Sequence, residues 1–149
     1  MEFSKELSAG NRIIDSEHKN LHDMINGIAS IIAAGNHIAL TEAFKLLEDR
    51  LCAYFAVEEH IAQAVNFDFT QHRLAHQSLL EKIKLKHNES LGKYHWTKPE
   101  QEYYIHSLKN YLFQHVREDS KPFKAVLETQ FYYFNPSCAG GGAALHGIG

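Results

Sequence analysis

Four pairs of chemically able side chains recur along the sequence at one spacing: His18 with His22, Tyr54 with Glu58, His72 with His76, and His115 with Asp119. Residues four apart on an α-helix stand one above the other on the same face. Each pair lies in a stretch whose apolar residues repeat at steps of three and four, the helical period. Four helices that each turn an imidazole, phenol or carboxylate pair to one side have few ways to fold together. The arrangement that suits them is an all-α, antiparallel up-down four-helix bundle with a metal site in its core.

Boundaries follow from turn and capping chemistry. Residues 1–14 contain Ser8-Ala9-Gly10-Asn11 and read as an irregular N-terminal arm ending at Ile13 and Ile14, with Asp15 able to cap the first helix. That helix carries Leu21, Ile25, Ile28, Ala29 and Ile32 and stops at Gly35-Asn36, where both residues tolerate left-handed backbone. Thr41 is placed to cap the second helix, whose stripe runs Phe44, Leu47, Leu51, Tyr54, Phe55, Glu58, Ile61 and Val65. Asn66-Phe67-Asp68-Phe69 breaks the pattern, and Asp68 or Thr70 caps a third helix bearing His72, His76, Leu79, Leu80 and Ile83. After a connection from Leu91 to Trp96, Thr97-Lys98-Pro99-Glu100 has capping-box spacing with proline in the first turn. The fourth helix presents Tyr104, Leu108, Tyr111, Leu112, His115 and Val116, and Pro122 is expected to end or kink it. Phe123, Val126 and Leu127 suggest a short C-terminal helix packing back on the bundle.

A chain of 149 residues is near the length of one domain, and it can bury roughly 68–70% of its unfolded surface. The core therefore needs neither metal nor disulfides in order to form. The expected domain is residues 1–134. Residues 135–149, with three successive glycines, read as a disordered tail in which Cys138 and His146 are a loose pair rather than a site. A net charge of −3 offers no basic patch and no case for nucleic acid. No apolar run reaches the roughly 18 residues of a membrane span, and Cys52 and Cys138 form no disulfide framework. A soluble cytoplasmic protein is the expectation.

Eleven histidines against fifteen lysines and arginines is the compositional anomaly. His37, His60, His87, His95, His106 and His146 read as scattered surface residues. His72 and His76, followed by His115 on the next helix, do not. An inward Glu58 in an apolar core needs a counter-charge, and a metal ion supplies one. Imidazole with carboxylate suits iron, and open positions on such a site suit O2. The di-iron pattern of ferritin-like bundles needs a glutamate followed three residues later by histidine on two helices. No glutamate here has that neighbour.

The motifs also carry a resemblance. Ile13 to Asn26 resembles the first-helix signature of bacterial hemerythrins, Ile-Asp-x-Gln-His-x-x-Leu-x-x-x-Ile-Asn. Tyr54 to His60 is similar to their His-Phe-x-x-Glu-Glu run. His72 to His76 matches their His-x-x-x-His, and His115 to Phe123 resembles their last-helix motif. The resemblance spans about residues 10–125. It implies a four-helix bundle around a bridged di-iron centre that binds O2 reversibly. Residue by residue, His18, Glu58, His72, His76 and His115 match ligand positions of that family. Tyr54 stands where the family has histidine, and Ser120 where it has a second bridging carboxylate, with Asp119 one residue early. Two iron ions are implied by the resemblance, and one is compatible with the two substitutions.

Three repairs of the second half-site are open: Tyr54 ligating as a phenolate, His22 swinging in beside His18, or Asp119 replacing the lost bridge where the fourth helix loosens. Equally open is Tyr54 as a core aromatic with its hydroxyl on His22 or Glu58 and the second metal weak or absent. Glu59 and His60 point away from Glu58 and fall outside the site. Leu21, Ile25, Phe55, Leu79, Leu108, Tyr111 and Leu112 form the expected apolar shell. The leading functional expectation is a non-haem iron protein that binds or senses O2 or a related small molecule. An oxidase or peroxidase on the altered site, or a non-catalytic metal-binding sensor module, are the alternatives. No protein partner is legible in the sequence.

Overall fold

Short connections decide the topology. A computed structural model describes residues 12–119 and 121–129. Within them, α1 spans Arg12–Ala34, α2 His37–Ala64, α3 Thr70–Leu91, α4 Lys98–Gln114 and α5 Lys121–Thr129. Two residues join α1 to α2, residues 65–69 join α2 to α3, and residues 92–97 join α3 to α4. Connections this short make neighbouring helices antiparallel. α1 also packs on α4, which closes the four into a bundle.

The apolar stripes meet inside. Leu21, Ile25 and Ile28 of α1, Phe44, Leu47 and Ile61 of α2, Leu79 and Ile83 of α3, and Leu108 of α4 are all buried. Burying each such side chain contributes about 1.5–3 kcal/mol. Exposed Ile38, Leu46, Leu74 and Leu85 lie off these stripes.

Caps explain most of the boundaries, with three corrections to the sequence reading. α1 begins at Arg12, so Asp15 lies inside its first turn rather than capping it. A carboxylate there still suits the positive end of the helix. Gly35 ends α1 with φ of +70°, a conformation glycine adopts without steric cost. Asn36 then caps α2, its side-chain oxygen accepting the Ala39 N–H at 3.0 Å. Thr41 is not the cap; it sits within the helix, and its hydroxyl donates to the His37 carbonyl at 3.4 Å. Asn66 takes the left-handed backbone (φ 55°) that turns the chain out of α2. Asp68 accepts both the N–H and the hydroxyl of Thr70, at 3.0 and 2.8 Å, although Phe69 holds the cap position of α3 itself.

At Thr97 the expected capping box is complete: Glu100 N–H donates to the threonine hydroxyl at 3.3 Å, and Thr97 N–H to the Glu100 carboxylate at 2.8 Å. The far end of α4 departs from expectation. The α-helical ladder stops at Gln114, and His115–Asp119 widens into a π-helical turn. Pro122 does not end α4. It lies in the first turn of α5, where its missing N–H costs nothing. A proline at 122 could not have donated to the Glu118 carbonyl in a continuous helix, and the widened turn precedes that break. Among the described residues no helix is long and apolar enough to cross a membrane. Cys138, His146 and most of the expected arm and tail lie outside the described residues, as does Ser120.

Candidate metal centre

The stacked pairs on α2 and α3, together with the start of the π turn, converge at one level of the bundle. One carboxylate oxygen of Glu58 and one nitrogen each of His72, His76 and His115 lie within 4.8 Å of one another, and all four residues are buried. Their positions follow from the helices. Glu58 lies on the inward stripe of α2 between Tyr54 and Ile61. His72 and His76 occupy adjacent turns of α3, and His115 follows the last α-helical residue of α4.

Glu58 divides its oxygens. Oε1 lies 3.1 Å from Nε2 of His72 and 3.1 Å from Nε2 of His76. Oε2 accepts the Tyr54 hydroxyl at 2.8 Å. Burial drives the Glu58 carboxyl toward protonation, but the hydrogen bonds from His72 and His76 outweigh it and hold the group well below the carboxylate range. Burial also pushes the His76 imidazole down, to about 4, against the pull of Glu58. An ionised carboxylate beside a neutral imidazole is the protonation state that metal ligands require.

His115 is oriented from outside. Asp119, one turn on, lies 3.3 Å from Nδ1. The hydrogen bond to His115 holds the Asp119 carboxyl below its ordinary value, so the carboxylate accepts and Nδ1–H donates. Nε2 is then the bare nitrogen, and it is buried without a hydrogen-bond partner. An unpartnered buried acceptor is costly. A histidine whose far nitrogen is tied to a carboxylate is the usual arrangement at a metal ligand. His72 Nδ1 is likewise buried and unpartnered. The donor set fits one divalent cation of the borderline class that takes imidazole and carboxylate together.

The remaining sequence candidates stand outside this group. His18 donates from Nε2 to the Tyr54 hydroxyl, forming a chain from α1 through Tyr54 to Glu58. Tyr54 is fully buried, and burial followed by the Glu58 charge raises its pKa well above the phenol range. Its hydroxyl is a donor to Glu58, and its other contact is His18 rather than His22. His22 is buried one turn beyond His18 and does not join the four. Asp119, with its side chain 46% exposed, faces His115 from the solvent side. Glu59 turns away to accept from Arg73 Nε at 3.1 Å, and His60 is exposed.

Aromatic rings wall the centre. Phe55 stacks on His76 with ring centres 3.8 Å apart, and Phe69 stacks on His72 at 4.6 Å. Phe123 meets His72 edge-on at 5.5 Å. Phe69 and Phe123 were absent from the expected shell. Phe69, three residues before His72, carried the only local signal, hidden by the turn residues around it. His37 and His87 are also not plain surface residues. His37 lies 3.2 Å from the Leu91 carbonyl, and His87 stacks on Phe44 at 4.9 Å. A polar cavity of about 160 Å³ abuts the centre, lined by His115 and Asp119 with Lys82, Ser78 and Tyr111 among others.

Comparison with known proteins gives a distant similarity. The chain is 24% identical over 123 residues to proteins named bacteriohemerythrin from Pseudomonas aeruginosa strains LESB58 and UCBPP-PA14, covering 78% of this chain and 74% of each relative. A bacteriohemerythrin of Pseudomonas paraeruginosa is similar to the same extent. No family model matches the chain, and no solved structure matches it.

Proposed function

We propose, starting from the similarity to bacteriohemerythrins, that this chain is a non-haem iron protein that binds or senses O2 in the core of its bundle. His72, His76, His115 and Glu58 would hold the iron. Iron in such a set would supply redox chemistry and affinity for a small diatomic ligand. The observation that carries this reading is the buried, unpartnered Nε2 of His115 beside a carboxylate and a neutral imidazole. A hydrogen-bonded core would leave no such nitrogen.

The chain's own groups have definite tasks in this reading. Asp119 fixes the His115 ring and leaves Nε2 free. Glu58 contributes the negative charge that a cation needs when it leaves water. Phe55, Phe69 and Phe123 exclude water from the imidazoles. The cavity beside His115 gives a small molecule an approach from solvent. The test is optical: the iron-loaded, reduced protein exposed to air should develop a charge-transfer band that fades on degassing. Irreversible bleaching without that band excludes reversible binding.

A second reading, an oxidase or peroxidase, draws on one observation. The Tyr54 phenol, an oxidisable group, donates directly to Glu58. Peroxide turnover by the iron-loaded protein, lost in Glu58→Ala, would favour it.

A further inference from the structure

We infer that the centre holds a single metal ion, because the Tyr54 phenol and His18 occupy the half of the site where a second ion would sit. This rests on the metal-binding reading above.

The argument begins at Glu58. A carboxylate bridges two ions by giving one oxygen to each. Here Oε1 faces His72 and His76, while Oε2 accepts the Tyr54 hydroxyl at 2.8 Å. That hydroxyl in turn accepts from His18 Nε2. The two atoms that a second ion would recruit, His18 Nε2 and Glu58 Oε2, are therefore already joined through one phenolic oxygen.

The ring enforces the same exclusion sterically. Tyr54 is fully buried, its centre 5.0 Å from the His18 ring and 6.3 Å from the His76 ring. It stands between the α1 imidazole and the cluster. Among the described residues the other candidates lie elsewhere: His22 is one turn beyond His18 and does not join the group of four. The residue at 120 is serine, with no carboxylate to offer. Asp119 is turned to His115 Nδ1 and is 46% exposed. Two protein ligands, each engaged elsewhere, fall short of the three or more on which stable transition-metal sites are built.

Tyr54 is thus a positioning residue. Its hydroxyl engages Oε2 of Glu58 while Oε1 faces His72 and His76, and its aromatic ring closes the α1 side of the centre.

The test uses the full chain. Metal-free protein is loaded anaerobically with ferrous iron, desalted and assayed for iron per chain, then oxidised and examined by electron paramagnetic resonance. One iron per chain is expected, with an isolated high-spin ferric signal that accounts for all of it. Two per chain, silent through coupling between neighbouring ions, would overturn the inference and leave the metal-binding reading intact. No bound iron would overturn both. Tyr54→Phe keeps the ring and removes the hydroxyl, so its iron content should not rise above one. Two iron ions per chain there would show that the ring does not exclude a second ion and would contradict the assignment. Iron retained in a His76→Ala, His115→Ala double variant would place the ion elsewhere and overturn the inference as well.

Discussion

Glu58 is a charge taken wholly out of water, and its cost is offset only by what surrounds it. In the metal-stripped protein this ties stability to pH. The Glu58 pKa is depressed in the fold, so its contribution is present above the unfolded carboxylate value near 4.5 and is lost as pH falls below it. His76 acts in the same direction. Its imidazole titrates near 4 in the fold against 6.5 when unfolded, so the unfolded chain takes up the proton first as pH falls. Urea unfolding of stripped protein should therefore show stability falling by a few kcal/mol between pH 6.5 and 4, and His76→Gln should flatten the upper part of that profile. Asp119→Asn removes the charged acceptor behind His115. Metal affinity should drop about 10–100-fold with the fold retained, as read by titration with a competing chelator. Spacing alone put Glu58 and the α3 histidines on inward faces. It also put Tyr54 within reach of Glu58. The Tyr54–His18 bond was beyond it, because that bond depends on the axial register of α1 against α2, which no local pattern contains.

At the scale of elements, the N-terminus of α4 and its C-terminal end behave differently. Thr97 and Glu100 satisfy each other's backbone N–H groups, so Thr97→Ala should cost about 1 kcal/mol in thermal or chemical unfolding. Seventeen residues separate the start of α4 from His115, about 25 Å of helix, so metal content should not change. The capping box was readable because its four residues are contiguous. The π turn was not, because widening by one residue leaves the apolar period almost intact. It matters for the site, since His115 opens the turn and Asp119 closes it. Asn36 displaced Thr41 as the α2 cap for a similar reason. Both are good caps, and only the tight Gly35 turn selects between them.

For the whole molecule, four antiparallel helices follow from periodicity and short connections, and the candidate metal site lies among apolar layers that hold the bundle independently of it. Leu108, fully buried on α4, tests that independence. Leu108→Ala should destabilise by about 2–5 kcal/mol in the metal-stripped and the loaded protein alike. The phenylalanines that wall the centre come from three places, α2, the start of α3 and α5, and so could not be collected by reading one helix at a time. The central claim is that Glu58, His72, His76 and His115 together hold a metal ion. A ligand that binds only the folded state raises its stability by RT ln(1 + [L]/Kd), about 4 kcal/mol at a thousandfold excess over Kd. The most direct measurement is the melting temperature of metal-stripped protein titrated anaerobically with ferrous iron, beside His115→Ala. The account predicts a saturable rise of several degrees in the wild type that is lost or greatly reduced in the variant. No rise in the wild type, or an equal rise in both, would contradict it.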